Sequence, residues 1–363
     1  MFRANRLSPL AFLLALPVIF AVLCATVLHT HAMGSRDAKD YTAGLQILTA
    51  WEEGTGERIP VYVWYPSIRP EKLAVLDLYA ISAAREGKPA EGAFPVLLMS
   101  HDAAESGLAH HTTAEFLARK GFVVIAPTHP GDNYLDTARI FIAEQITRRP
   151  DHLRKALNAT LEHPELGPVA DTRFMGVIGF GTGGATALML AGAQPVTEGL
   201  RTYCTASASE EVTADPYCAP WAKTRLQSML EVPEGRLAPP EGQEWVLPGI
   251  SALAIAAPGY AMLFDAESVA PLRVPVMLME AERNTINPPA RHARHLRALL
   301  PAAPYFVFAG ASAFTLHSPC PEAMRAAYPA LCTDPAGTNR RSVHEAMNGL
   351  LHKFMTEEMR KDS

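Results

Sequence analysis

The sequence predicts an α/β protein built on a mostly parallel sheet with helices over both faces. Two observations carry that prediction. From Phe94 onward, short unbroken apolar runs take turns with segments of helical periodicity, and strands buried on both faces read as continuous apolar runs. The chain has 363 residues, 48% hydrophobic and 19% charged, which is enough apolar material for a large core. Its 32 basic and 37 acidic residues give a net charge of −5. That balance excludes a disordered chain and a polyanion-binding surface driven by bulk charge, so no nucleic-acid partner is expected.

Taken in order, Gln46–Trp51 and Pro60–Tyr65 alternate on either side of Glu53-Gly-Thr-Gly-Glu57, a hairpin signal. Residues 67–93 read as a polar, proline-bounded insertion with one helical patch, Leu73–Ala84. Strands are predicted at 95–100, 122–126, 174–180, 252–256, 274–279 and 304–308, each a short apolar run. Helices are predicted at 112–120, 140–162, 185–193, 289–299 and 341–358. Residues 195–248 break this rhythm with a Pro/Gly/Glu-rich stretch and a cysteine pair, which reads as a cap-like insertion in one domain spanning 41–360.

The N-terminus reads as a targeting segment. Arg3 and Arg6 precede an apolar run from Leu7 to Leu28, and Thr30-His31-Ala32 supplies small residues for signal-peptidase cleavage. The rival is an uncleaved anchor, since the run is long enough to span a bilayer. Lipidation at Cys24 is disfavoured by the bulk of Leu23. Each option exports the rest of the chain, to the periplasm or beyond. Loss of residues 1–32 would remove two arginines and take the charge from −5 to −7. In an oxidising compartment the other cysteines are expected to pair locally, Cys204 with Cys218 and Cys320 with Cys332. Each bridge would stabilise the fold by about 3 kcal/mol in the chain-entropy model. Free or metal-bound thiols are the rival, and no Cys-x-x-Cys spacing supports a zinc site.

The segment Val177–Leu188 sits on a strand-to-helix turn. Gly179-Phe180-Gly181-Thr182-Gly183 has the glycines of a nucleophile elbow, with Gly181 where the nucleophile would be. Gly179, Gly181 and Gly184 also satisfy G-x-G-x-x-G, but Glu198, at the spacing of a ribose-binding acid, follows no strand. Nucleotide binding is therefore not expected, and no cofactor is.

Around this elbow the chain resembles secreted bacterial α/β-hydrolases of the dienelactone hydrolase and platelet-activating-factor acetylhydrolase type. The resemblance runs through Pro95–His101, Phe116–Asp132, the elbow at 179–184, Val274–Met279, Ser318-Pro-Cys-Pro, Cys332–Gly337 and Arg341–His344, in that order. The two cysteine pairs also look like the family's. The resemblance implies an α/β-hydrolase fold, carboxylic ester hydrolysis and a Ser–His–Asp triad. It places the serine at Gly181, the acid at Asn284 and the histidine at Ala313. The alternative acid position, in Ala254–Pro258, holds no carboxylate. The implied oxyanion-hole positions are Asp102 and Thr182, and a carboxylate at Asp102 is electrostatically wrong there unless turned away.

The expectation is therefore a pseudoenzyme, since removing a triad costs about six powers of ten in turnover. Glycine at the elbow also relieves a strained backbone. Such a protein would bind a small apolar or ester-like ligand, or a protein partner, in a vestigial pocket above Gly181. The alternative is a hydrolase of short acyl esters or lactones acting through a displaced site. Among rescue residues, Thr182 reads as a helix cap, and Ser312 has no base in sight. Asp265, Glu280 and Glu282 read as solvated loop charges. His317 lies four residues past Ala313, near enough to swing in, although the resemblance leads that stretch into a surface cysteine loop. His101, His110, His111, His129, His292 and His295 read as surface or capping histidines, and no metal is expected.

Overall fold

The computed structural model describes residues 41–204 and 215–360. The expectations for residues 1–32 fall outside the described residues, and among these no helix is long and apolar enough to cross a membrane. The strands are β1 (Thr42–Trp51), β2 (Arg58–Ser67), β3 (Lys72–Leu76), β4 (Tyr79–Arg85), β5 (Phe94–Ser100), β6 (Val123–Pro127), β7 (Ala170–Phe180), β8 (Ile250–Ala256), β9 (Val276–Ala281) and β10 (Tyr305–Phe308). They form one sheet in the order β10-β9-β8-β7-β5-β6-β2-β1-β4-β3. The half from β6 to β10 is parallel, while β1 and β2 form the expected antiparallel hairpin and β2 joins β6 antiparallel.

The parallel strands are apolar on both faces because both are covered. In β5, Val96 and Leu98 enter one core cluster and Leu97 and Met99 the other. Helices α2 (Ala143–Glu162) and α3 (Thr182–Leu190) close the first face with Leu153, Leu157 and Leu188. Helices α1 (His111–Arg119) and the C-terminal Arg340–Glu358 close the second with Leu117, Leu351 and Phe354.

The helical patch expected at Leu73–Ala84 is instead the β3–β4 hairpin. Leu73 and Val75 alternate with Ala74 along an edge strand, and Asp77 turns the chain at φ 51°. That alternation is a strand period, and the polar flanks obscured it. Residues 195–248 contain no named strand among the described residues, only α4 (Glu198–Tyr203), α5 (Pro220–Leu230) and short 3-10 turns. Both expected disulfides form, Cys204–Cys218 and Cys320–Cys332.

Candidate active site

Glycine makes the tight turn from β7 into α3 possible. Gly181 has φ 51° and ψ −118°, a conformation that costs an L side chain but not glycine. A Cβ on Gly183 would overlap the Ser100 carbonyl, and one on Gly179 would overlap Gly183, so strand, helix and the end of β5 approach as only glycine allows. Gly181 N–H donates to Ala256 O at 3.0 Å, and Gly259 N–H donates to Gly181 O at 2.8 Å, fixing the elbow to β8.

Asp102 is not turned away. A Cβ on residue 181 would coincide with its carboxyl group, so Asp102 fills the space where an elbow side chain would stand. Its Oδ1 accepts from Thr182 N–H at 2.7 Å, from the Thr182 hydroxyl at 2.9 Å and from Ala103 N–H at 2.7 Å. Its Oδ2 accepts from Asn287 Nδ2 at 3.0 Å. The backbone donors that would bind an oxyanion are thus taken by a carboxylate of the same chain. Burial, helped by the charge of Glu105, pushes the Asp102 carboxyl up to about 6 against these hydrogen bonds. Thr182 is the first residue of α3, yet its hydroxyl serves Asp102 and caps nothing.

The two other positions that the resemblance assigns to a triad have structural work. Asn284 Oδ1 accepts from the N–H groups of Ile286 and Asn287, both at 2.9 Å, forming the turn that aims Asn287 at Asp102. Ala313 lines the cavity and opens a 3-10 turn, Ala313–Leu316, which Ser312 caps with a capping box. That turn delivers His317.

His317 is buried, and its Nε2 contacts Glu105 Oε1. Glu105 Oε2 faces His110 Nε2 at 3.2 Å and accepts from Asp102 N–H at 3.1 Å. Burial alone would raise the Glu105 carboxyl, but the facing imidazoles of His317 and His110 hold it well below the usual carboxylate range. The ring of His110 stacks on Phe180, centroids 3.5 Å apart. Ligand atoms of Glu105, His110 and His317 all lie within 4.8 Å of one another, the one His/Asp/Glu cluster of metal-binding compactness among the described residues.

Asp102, Glu105, His317 and Ala313 line a cavity of about 390 Å³ whose walls are mainly apolar. Tyr79, Phe141 and Phe314 form its sides, and Tyr134, Trp221 and Tyr328 are exposed at its wall. Trp221 comes from the 195–248 insertion, as does Pro216. The loop bearing Asp102 is held from beneath by fully buried Arg149. Its guanidinium donates to His101 O at 2.8 Å, to Asp102 O at 3.3 Å and to Asp132 Oδ2 at 3.1 Å, and Asp132 Oδ1 accepts from Ala104 N–H at 3.0 Å.

A second polar chain runs under the same loop: Ser100 Oγ to His129 Nε2 (2.9 Å), His129 Nδ1 to His152 Nδ1 (3.1 Å), His152 Nε2 to Glu52 Oε1 (2.8 Å). Glu52, held ionised by these partners against burial, only accepts, so His152 donates to it, His129 donates to His152 and Ser100 donates to His129. Burial keeps both imidazoles neutral. None of the four residues lines the cavity, so this Ser–His pairing is structural.

Several expectations need correction. His101, His110, His111, His129 and His292 are buried rather than surface residues, each with a polar partner. His295, half-buried, is hydrogen-bonded to Phe264 O at 2.8 Å. Glu280 is a buried strand residue paired with Arg294, not a loop charge. Asp265 caps a short helix, and Glu282 accepts from Gly310 N–H at 2.8 Å. Sequence reasoning passed over Glu105 altogether. The available signal was the Glu105-x4-His110 spacing on the loop that also carries Asp102.

Residues 82–220 match the Dienelactone hydrolase family model. No curated protein matches the sequence. Among solved structures, the chain is similar to a ferulic acid esterase from Streptomyces cinnamoneus, with TM-score 0.55 and 15% identity over 90% of this chain and 92% of that one. The chain therefore has the α/β-hydrolase fold, with its residues 82–220 similar to the dienelactone hydrolase family.

Proposed function

We propose that the protein hydrolyses carboxylic esters, short acyl esters or lactones, with water as the attacking group rather than a side chain at position 181. The observation that carries this is the convergence of Glu105, His110 and His317 on a cavity beside the elbow. A carboxylate and two imidazoles are the groups that activate water and return its proton to a leaving alkoxide. The new oxygen–acyl carbon bond forms as the acyl–alkoxy bond breaks, and the alcohol departs with the water's proton. The dienelactone hydrolase match and the esterase-like fold support the reaction class, and the apolar walls support a hydrophobic acyl or aryl group. The two disulfides support export, which we propose with it.

The test is hydrolysis of a series of p-nitrophenyl esters and an aryl lactone. Turnover is expected in the unaltered protein, without labelling by a fluorophosphonate, and reduced by at least about 100-fold in Glu105→Gln and His317→Ala. Absence of turnover across the series would overturn the proposal. It would favour a second reading, a scaffold without catalysis that binds a small apolar ligand or a protein partner. The observation on that side is Asp102, which occupies the oxyanion donors.

A further inference from the structure

His110 sits in an electrostatic conflict. Its Nδ1 faces the Leu316 carbonyl oxygen at 3.0 Å, and a carbonyl only accepts, so Nδ1 carries the proton. Its Nε2 faces Glu105 Oε2 at 3.2 Å. A neutral ring there aims a lone pair at a carboxylate oxygen. Protonating the ring would remove the conflict only by burying a charge, since His110 is 2% exposed. A cation shared between the two atoms removes it with the ring neutral.

The surroundings suit such a cation. Two imidazole nitrogens and one carboxylate oxygen within 4.8 Å of one another are the ligand set of a four-coordinate catalytic zinc, whose bonds run about 2.0–2.2 Å. One outer contact that orients a ligand ring is in place, His110 Nδ1–H donating to Leu316 O, and His344 Nε2 anchors the backbone of His317 by donating to its carbonyl oxygen at 2.7 Å. Glu105 and His317 line the cavity, which leaves the remaining coordination position facing it. Asp77, Asp102 and Glu105 bring three carboxylates to that cavity, and no lysine or arginine lines it among the described residues.

We propose that Glu105, His110 and His317 bind a zinc ion whose fourth ligand is a water facing the cavity. The metal site stands on its own geometry, and it rests on the ester-hydrolase reading only for what that water does. Zinc would lower the pKa of a bound water to about 7, and the hydroxide would attack the acyl carbon as the acyl–alkoxy bond breaks. The leaving alkoxide would take a proton from solvent in place of the one the water released, the three side chains then serving as ligands rather than as bases. The ion would also meet the charge on the carbonyl oxygen, which the Thr182 and Ala103 N–H groups cannot do while they hold Asp102.

The full chain, stripped with EDTA, is titrated with zinc chloride by calorimetry and assayed for bound zinc by mass spectrometry after gel filtration. About one zinc per chain is expected, with affinity weakened by more than about 100-fold in His110→Ala and His317→Ala. His295→Ala, whose ring contacts Phe264 O instead, should bind as the unaltered protein does. Cobalt(II) gives an independent reading on the unaltered chain: the intense visible bands of a four-coordinate ion, displaced by zinc. Because His110 is buried, His317→Gln serves as the milder variant, and circular dichroism verifies its fold. Substoichiometric zinc with no cobalt bands, or equal binding by a folded His317→Gln, overturns the site. Zinc bound without ester turnover overturns the ester reading and leaves the site standing. Full ester turnover by stripped protein that takes up no zinc does the reverse.

Discussion

A side chain at position 181 and the carboxyl of Asp102 claim the same volume. Gly181→Ser therefore adds overpacking to a backbone at positive φ, and is expected to destabilise the fold by about 2–5 kcal/mol. Asp102→Gly in the same chain should return part of that loss, a coupling of about 1–3 kcal/mol in a double-mutant cycle by urea denaturation. Strict additivity would contradict the shared volume. On that background, Asn284→Asp with Ala313→His is expected to bring fluorophosphonate labelling. At this scale the sequence was legible where residues are missing and opaque where residues are gained. Gly181 could be read from the elbow pattern alone, because glycine spacing is a local signal. The pairing of Glu105 with His317 spans 212 positions, and no local pattern encodes it.

At the scale of elements, the site depends on a helix that contributes nothing to the cavity. Arg149 of α2 is fully buried and supports the 101–104 loop through two carbonyls and Asp132. Arg149→Met leaves the Asp132 carboxylate buried and unpaired. The expected cost is about 3–5 kcal/mol, measured by denaturation. Arg149→Lys should recover little, since one ammonium cannot copy a planar fork across three acceptors. A loss below 1 kcal/mol would show that the loop holds itself. The helices and parallel strands were legible because burial on two faces leaves long apolar runs. The β3–β4 hairpin was not, because an edge strand exposes Leu73 and Val75 and its polar flanks hide the period.

For the whole molecule, the histidines carried inside the fold set its tolerance of acid. Burial pushes His101 and His292 down to about 3 from an ordinary value of 6.5. Between those values the unfolded chain binds more protons than the folded one. Stability is thus complete above about pH 6.5 and falls as pH drops toward 3. Glu71 and Glu280, opposed by burial but held down by Arg119 and Arg294, lose their contribution in the same direction, below their ordinary 4.5. The melting temperature is expected to fall by roughly 10 °C or more between pH 7 and 4.5. A flat profile across that window would mean that these rings are not buried neutral.

The hydrogen-bonded line from Ser100 through His129 and His152 to Glu52 has a spectroscopic consequence. Each of its protons has one donor and one acceptor, and both rings are fully buried. Water cannot trade with them until the ends of β5 and β6 part from α2. Two imidazole N–H resonances should therefore stay sharp and far downfield in ordinary water, and their lifetimes would time the opening of the sheet from within.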